Sequence, residues 1–103
     1  MIERVDENAG EQQVWRITSA MTQAQAAGLL VAGQKLLTAA TGTTPILVDL
    51  TAVGEADSSG LAVLLDWLRT ARQQGRDMTV REVPAGLRAL AELYGIEELL
   101  NFV

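Results

Sequence analysis

The sequence contains neither cysteine nor histidine in its 103 residues. The lack of cysteine excludes disulfides, thiolate metal sites and a cysteine nucleophile. The additional lack of histidine excludes zinc sites of the usual kinds and the imidazole-assisted nucleophiles of hydrolases. We therefore predict no metal, no cofactor and no catalytic residue, with a carboxylate-only site as the one formal exception.

Positive charge and long apolar runs are also scarce. The formal net charge is −5, which repels the phosphate backbone that supplies most nucleic-acid affinity. The longest apolar stretches fall far short of the roughly 20 residues of a membrane-spanning helix. The N-terminus, Met1 to Arg4 followed by acidic residues, lacks the order of a signal peptide. We expect a cytoplasmic protein with no nucleic-acid partner and no direct membrane insertion.

Aromatic residues make up only 4% of the chain, whereas hydrophobic residues make up 49%. The core must therefore be built from Leu, Ala, Val and Ile. A chain of this length fits one domain, and no repeat or flexible linker divides it, so residues 1–103 are predicted to form a single domain.

Strand and helix patterns alternate along the chain. Thr22 and Gln25 have capping-box spacing before a helix, and Ile46 to Val48 resembles a strand buried on both faces. The pattern predicts strands at 2–6, 13–17, 46–49 and 78–82, and helices at 23–39, from 58 or 59 to 74, at 84–94 and at 96–102. We predict an α/β fold with a mainly parallel four- to five-stranded sheet, an N-terminal antiparallel strand and helices packed on the sheet.

The second helix separates its faces at about 100° per residue. Its inward stripe is predicted to be Leu61, Leu64, Leu65, Leu68 and Ala71, and its opposite side Ser59, Ala62, Asp66, Thr70 and Gln73. Val63 and Trp67 fall at the border between the two. A border tryptophan either closes the edge of the core or serves as a binding contact.

The loop before this helix carries the most information. Asp57 and Ser58 have N-cap chemistry, so one interpretation is an ordinary helix cap. The neighbouring Ser59 and Gly60 favour a second interpretation. A hydroxyl at a helix start is accessible to phosphorylation, and glycine lets another surface approach closely. A phosphate would add about −1.5 to −2 charges and could disrupt a docked surface.

These residues resemble the signature of the STAS domain family. The resemblance rests on Asp57-Ser58-Ser59-Gly60-Leu61, placed between the strand end Val48-Asp49-Leu50 and a helix that ends near Gly75, and it extends from about Val14 to Leu100. It implies a sheet flanked by helices, no enzymatic activity, and a protein-binding surface around Asp57, Ser58, Ser59, Gly60, Val63 and Trp67.

Two branches of the family are similar to this chain, and the first resembles it more closely. The first is the small STAS subunit of the Mla-type phospholipid ABC transporter, favoured by Leu68 to Val80 and Leu90 to Gly95, which would bind the transporter's ATPase. There Ser58 matches a hydroxyl residue that is usually threonine. The second is the anti-sigma-factor antagonists of bacteria, in which the residue matching Ser58 is phosphorylated by a partner kinase. The Ser58-Ser59 pair favours the second branch.

A third class, a carboxylate enzyme, would use Asp49, Glu55 and Asp57. The pattern places no cationic or imidazole partner beside these residues, so this class is disfavoured.

Overall fold

The computed structural model describes residues 1–7, 10–39 and 42–103. The strands are β1 (Ile2–Glu7), β2 (Gln12–Ile17), β3 (Ile46–Asp49) and β4 (Met78–Arg81). The helices are α1 (Gln23–Ala39), α2 (Ser58–Gln73) and α3 (Ala85–Leu93), followed by a 3₁₀ helix (Glu97–Leu100). Every predicted element is present, with bounds within a few residues of those expected.

The four strands form one sheet in the order β1-β2-β3-β4. The first pair is antiparallel, and β2, β3 and β4 run parallel, with α1 and α2 as the crossovers. The α/β architecture with a mixed, mainly parallel sheet is therefore confirmed. Beyond β4 the chain adds only an isolated parallel bridge between Val80 and Phe102, so a fifth strand does not form there.

One face of the sheet packs against the helices. In β3, Ile46 and Val48 point into the hydrophobic core, and alternate residues of the neighbouring strands join them. The inward residues of α2 behave as predicted at Leu61, Leu64 and Leu68, which are at most 3% exposed. Leu65 differs because it is only partly buried: it touches the core but also faces outward.

Local signals explain where the helices begin and end. The predicted capping box at α1 is confirmed in part, since the Thr22 backbone N–H donates to Gln25 Oε1 over 3.0 Å. Gly75, at φ +72°, follows the end of α2 in a left-handed conformation that favours glycine. Pro84 is the N-cap of α3 rather than its first helical residue. The predicted last helix shortens to a 3₁₀ turn, ended by Asn101 in the left-handed region.

Candidate functional site

The start of α2 is held in place by one side chain, Asp57, which caps two helices. Its Oδ1 accepts the Ser59 backbone N–H over 2.8 Å, and its Oδ2 accepts the Gln23 backbone N–H at the start of α1 over 3.1 Å. Desolvation alone would raise the pKa of Asp57, but these backbone hydrogen bonds outweigh it and lower the pKa below its ordinary value. Asp57 is therefore an ionised cap that fastens the two crossover helices together.

The loop before α2 is also tied to the segment between β2 and α1 through the backbone of Met21. The Met21 N–H donates to the Glu55 carbonyl over 2.8 Å, and the Asp57 N–H donates to the Met21 carbonyl over 3.2 Å. Gly60 is buried at this junction, and a Cβ there would lie 3.0 Å from the Met21 carbonyl oxygen. The close approach expected at Gly60 is thus made by the chain's own backbone.

Ser58 and Ser59 directly follow Asp57 and are the first two residues of α2. Ser58 is the first residue of α2 and is exposed, whereas Ser59 is half-buried. The free N–H groups of a helix start create a field that favours negative charge. The Ser58 side chain is therefore accessible from solvent at this helix start.

The border position predicted for Val63 and Trp67 is wrong. Both side chains are buried, with exposures of 1% and 0%. The Trp67 ring packs edge-on against Trp15, with ring centroids 5.4 Å apart, and its five-membered ring lies over Gly33 of α1. Neither side chain reaches the surface of the folded chain, and both belong to the hydrophobic core.

Sequence reasoning missed the partner of Trp67 because helical periodicity within α2 does not reveal what packs against it. The signal was a glycine inside the predicted first helix, where glycine usually marks a close approach. Gly33 leaves space for the Trp67 ring, because a Cβ at that position would come within 2.1 Å of Trp67 Nε1.

Asp49 also differs from expectation, because two arginines lie beside it. Its Oδ2 is 3.1 Å from Arg81 and 3.8 Å from Arg16, and its Oδ1 accepts the Thr51 backbone N–H over 2.9 Å. Burial alone would raise the pKa of Asp49, but the hydrogen bonds from Thr51 and Arg81 outweigh it and lower the pKa. The cationic partners absent from the sequence pattern come from neighbouring strands.

The lowered pKa values of Asp49 and Asp57 do not fit the role of general acid that the carboxylate-enzyme hypothesis would give them. A carboxylic acid that donates protons near neutral pH needs a raised pKa. Asp49 and Asp57 have lowered values, and their oxygens are engaged by donors of the fold. The third residue of that set, Glu55, is exposed and contributes its backbone carbonyl to the loop.

The chain is a small α/β domain with a mixed four-stranded sheet. Asp57 caps both crossover helices, and the exposed Ser58 side chain lies beside this cap. The family model described as "Mlab, STAS domain" matches residues 5–101, almost the whole chain. The chain belongs to the STAS domain family, whose members act as regulators through protein–protein interactions. A comparison with curated protein sequences finds no significant relative.

Solved structures with the same fold share little sequence with this chain. A Thermotoga maritima protein described as a "putative anti-sigma factor antagonist" superposes with a TM-score of 0.81 at 14% identity, covering 99% of this chain and 85% of that one. The anti-sigma factor antagonist SpoIIAA in its unphosphorylated form gives 0.77 at 13% identity, covering 100% and 86%. A sulfate transporter family protein from Wolinella succinogenes gives 0.71 at 15% identity, covering 94% and 84%. These likenesses establish the fold.

Within the residues that the structure describes, no helix has the length and apolar character needed to cross a membrane.

Proposed function

We propose that this chain is a non-catalytic STAS subunit that binds and regulates the ATPase of a phospholipid-transport ABC complex. The observation that carries the proposal is the match of residues 5–101 to the family described as "Mlab, STAS domain". The subunit would work on the cytoplasmic side of the membrane, where such an ATPase meets ATP. Its contribution is a rigid docking surface, while the ATPase supplies the nucleotide chemistry.

The geometry around Ser58 supports a docking role. Asp57 fixes the loop through two backbone hydrogen bonds, so little conformational entropy is lost when a partner binds there. The exposed Ser58 hydroxyl can both donate and accept a hydrogen bond. Ser58, Ser59 and the fold that holds them are therefore proposed as one part of the interface, with Asp57 and Gly60 as its support.

The test uses the ABC ATPase encoded nearest to this gene, purified with and without the chain. Ser58→Glu places a negative charge where a docked protein must exclude water, so it should weaken binding by about tenfold or more in a calorimetric titration. The matched control is Thr43→Glu, which adds the same charge at an exposed position before β3, at the end of that strand opposite to the loop that leads to α2. The control should bind within about twofold of the parent.

Circular dichroism and melting curves should show both variants folded, because each site is exposed. Failure of the parent chain to bind the ATPase would contradict the proposed function. Equal binding by parent and Ser58→Glu would remove Ser58 from the interface.

A second candidate is an anti-sigma-factor antagonist switched by phosphorylation of Ser58. The observation in its favour is the exposed hydroxyl at the start of α2, on a fold shared with SpoIIAA and the Thermotoga maritima protein. A kinase-like anti-sigma gene beside this one, and a phosphate added by that kinase to the parent but not to Ser58→Ala, would favour this candidate. Intact-mass spectrometry measures the addition directly.

A further inference from the structure

The outer face of α2 carries a stripe that begins at Ser58 and runs the length of the helix. Ala62, Leu65, Arg69 and Arg72 follow one another at intervals of three or four residues, so they lie along one side. A helix of this length extends about 24 Å. The stripe is therefore long enough for a second helix of about four turns to lie along it.

The stripe forms one wall of a groove of about 720 Å³. Leu99 of the 3₁₀ helix, 48% exposed, also lines it, and Leu68 lies at its base. Leu65 is only partly buried because its side chain faces the groove as well as the core. The floor of the groove is therefore apolar, formed by Ala62, Leu65, Leu68 and Leu99.

The charged residues that line the groove are two arginines, Arg69 and Arg72, and one aspartate, Asp66, so the lining has a net positive charge although the whole chain has a net charge of −5. Arg69 is 71% exposed and its one acidic neighbour, Asp66, lies on the same helix at 2.8 Å. Asp66 is shared, because its other oxygen accepts a hydrogen bond from Gln34 of α1 over 2.8 Å. Arg72 is exposed and forms no salt bridge within the described residues. An apolar floor with arginines on its rim is complementary to an acidic amphipathic helix.

We propose that this groove binds an acidic amphipathic helix of the partner protein, with leucine-like side chains on the floor and carboxylates beside Arg69 and Arg72. This inference rests on the proposed function and names the part of the partner that binds. Ser58 lies about one helical turn before Ala62, the first residue of α2 that lines the groove. A phosphate or glutamate there would repel the same acidic helix, which gives the serine a means to control docking.

The proposal can be tested with two synthetic helical peptides of about 18 residues. Both carry the same leucine stripe, but one has glutamates flanking it and the other has lysines. Titration of each into isotope-labelled protein, followed by amide chemical shifts, locates the bound peptide. The acidic peptide should shift Ala62, Leu65, Arg69, Arg72 and Leu99, and should bind about tenfold more tightly than the basic one at low salt.

Charge reversal then tests the rim. Arg72→Glu should weaken the acidic peptide by about tenfold and strengthen the basic one. Lys35→Glu, an equal charge change at an exposed position on α1, should change neither by more than about twofold. Both positions are exposed, so both variants should stay folded, and melting curves verify this.

The groove assignment is overturned if the basic peptide binds as tightly as the acidic one, or if the shifts lie elsewhere. It is also overturned if sedimentation velocity shows a dimer of the parent that Arg72→Glu dissociates, since a second copy would then occupy the groove.

The full ATPase separates this inference from the proposed function. If Ser58→Glu abolishes ATPase binding but Arg72→Glu does not, the function stands and the groove assignment fails. If the parent takes up the acidic peptide in the groove but does not bind the ATPase, the groove stands and the proposed function fails.

Discussion

Among the glycines of the described residues, Gly33 is the one at which substitution by alanine should lower the free energy of unfolding most. An alanine Cβ there would lie 2.1 Å from Trp67 Nε1 and 2.3 Å from Cε2, far inside van der Waals contact. The Trp67 ring is fully buried and packs against Trp15 at 5.4 Å, so it has no free direction in which to move. Overpacking of this kind typically costs about 1–3 kcal/mol and occasionally more.

The change also carries a benefit, because alanine is better than glycine inside a helix by about 1 kcal/mol. The clash at Gly33 is severe enough that we place its cost near or above the upper end of the overpacking range, about 3 kcal/mol, so Gly33→Ala should lose about 2 kcal/mol or more net. For a domain of this size a loss of about 2 kcal/mol corresponds to a fall in melting temperature of roughly 8–16 °C. Urea denaturation followed by circular dichroism measures the free energy of unfolding directly.

Gly28→Ala provides the matched control on the same helix. A Cβ at Gly28 would meet only the Met1 side chain, at 3.0 Å from Sδ, and Met1 is 46% exposed and can move aside. This variant should keep the helix-propensity benefit and be as stable as the parent or more so. Trp67→Phe removes the indole nitrogen, which is the nearest clashing atom, and makes the ring smaller, so Gly33→Ala and Trp67→Phe should couple by about 1 kcal/mol or more in a double-mutant cycle. Equal stability of Gly33→Ala and Gly28→Ala would refute the packing argument.

The remaining predictions concern the cap, the buried carboxylate and the core. Asp57→Ala should lower the melting temperature more than Ser58→Ala, because it removes acceptors from two helix starts, and Asp57→Asn should fall between them. Asp49 and Asp57 have folded-state pKa values below their ordinary 3.8, so both stabilise the fold above that pH. This stability should disappear as the pH falls below about 4, and Asp49→Asn should reduce the loss in acid denaturation curves. Leu64→Ala should cost about 2–5 kcal/mol in urea denaturation, whereas Leu93→Ala, at a side chain 76% exposed, should cost at most about 0.5 kcal/mol.

Short-range signals in the sequence were sufficient for the elements of the fold and for the cap. The apolar run of β3, the leucines of α2 and the glycines behind α2 and α3 act within a few residues, so they can be read along the chain. For the same reason Asp57 was recognised as an N-cap of α2. Its second hydrogen bond, to Gln23, joins residues 34 positions apart, and no local pattern contains it.

Contacts between distant segments determine the burial of Trp67 and the ion pairs of Asp49, which local sequence patterns do not predict. The position of Trp67 on α2 predicts a border residue, but it does not reveal which residue of α1 lies opposite. Gly33 of α1 has no side chain, so α1 can pack closely against the Trp67 ring and bury it. Asp49 looked unpartnered because Arg81 lies 32 residues away and meets it only through the register of β3 and β4. Periodicity fixes the direction of a side chain on its own element. Exposure and charge pairing depend on which elements pack together, and that is a property of the tertiary structure alone.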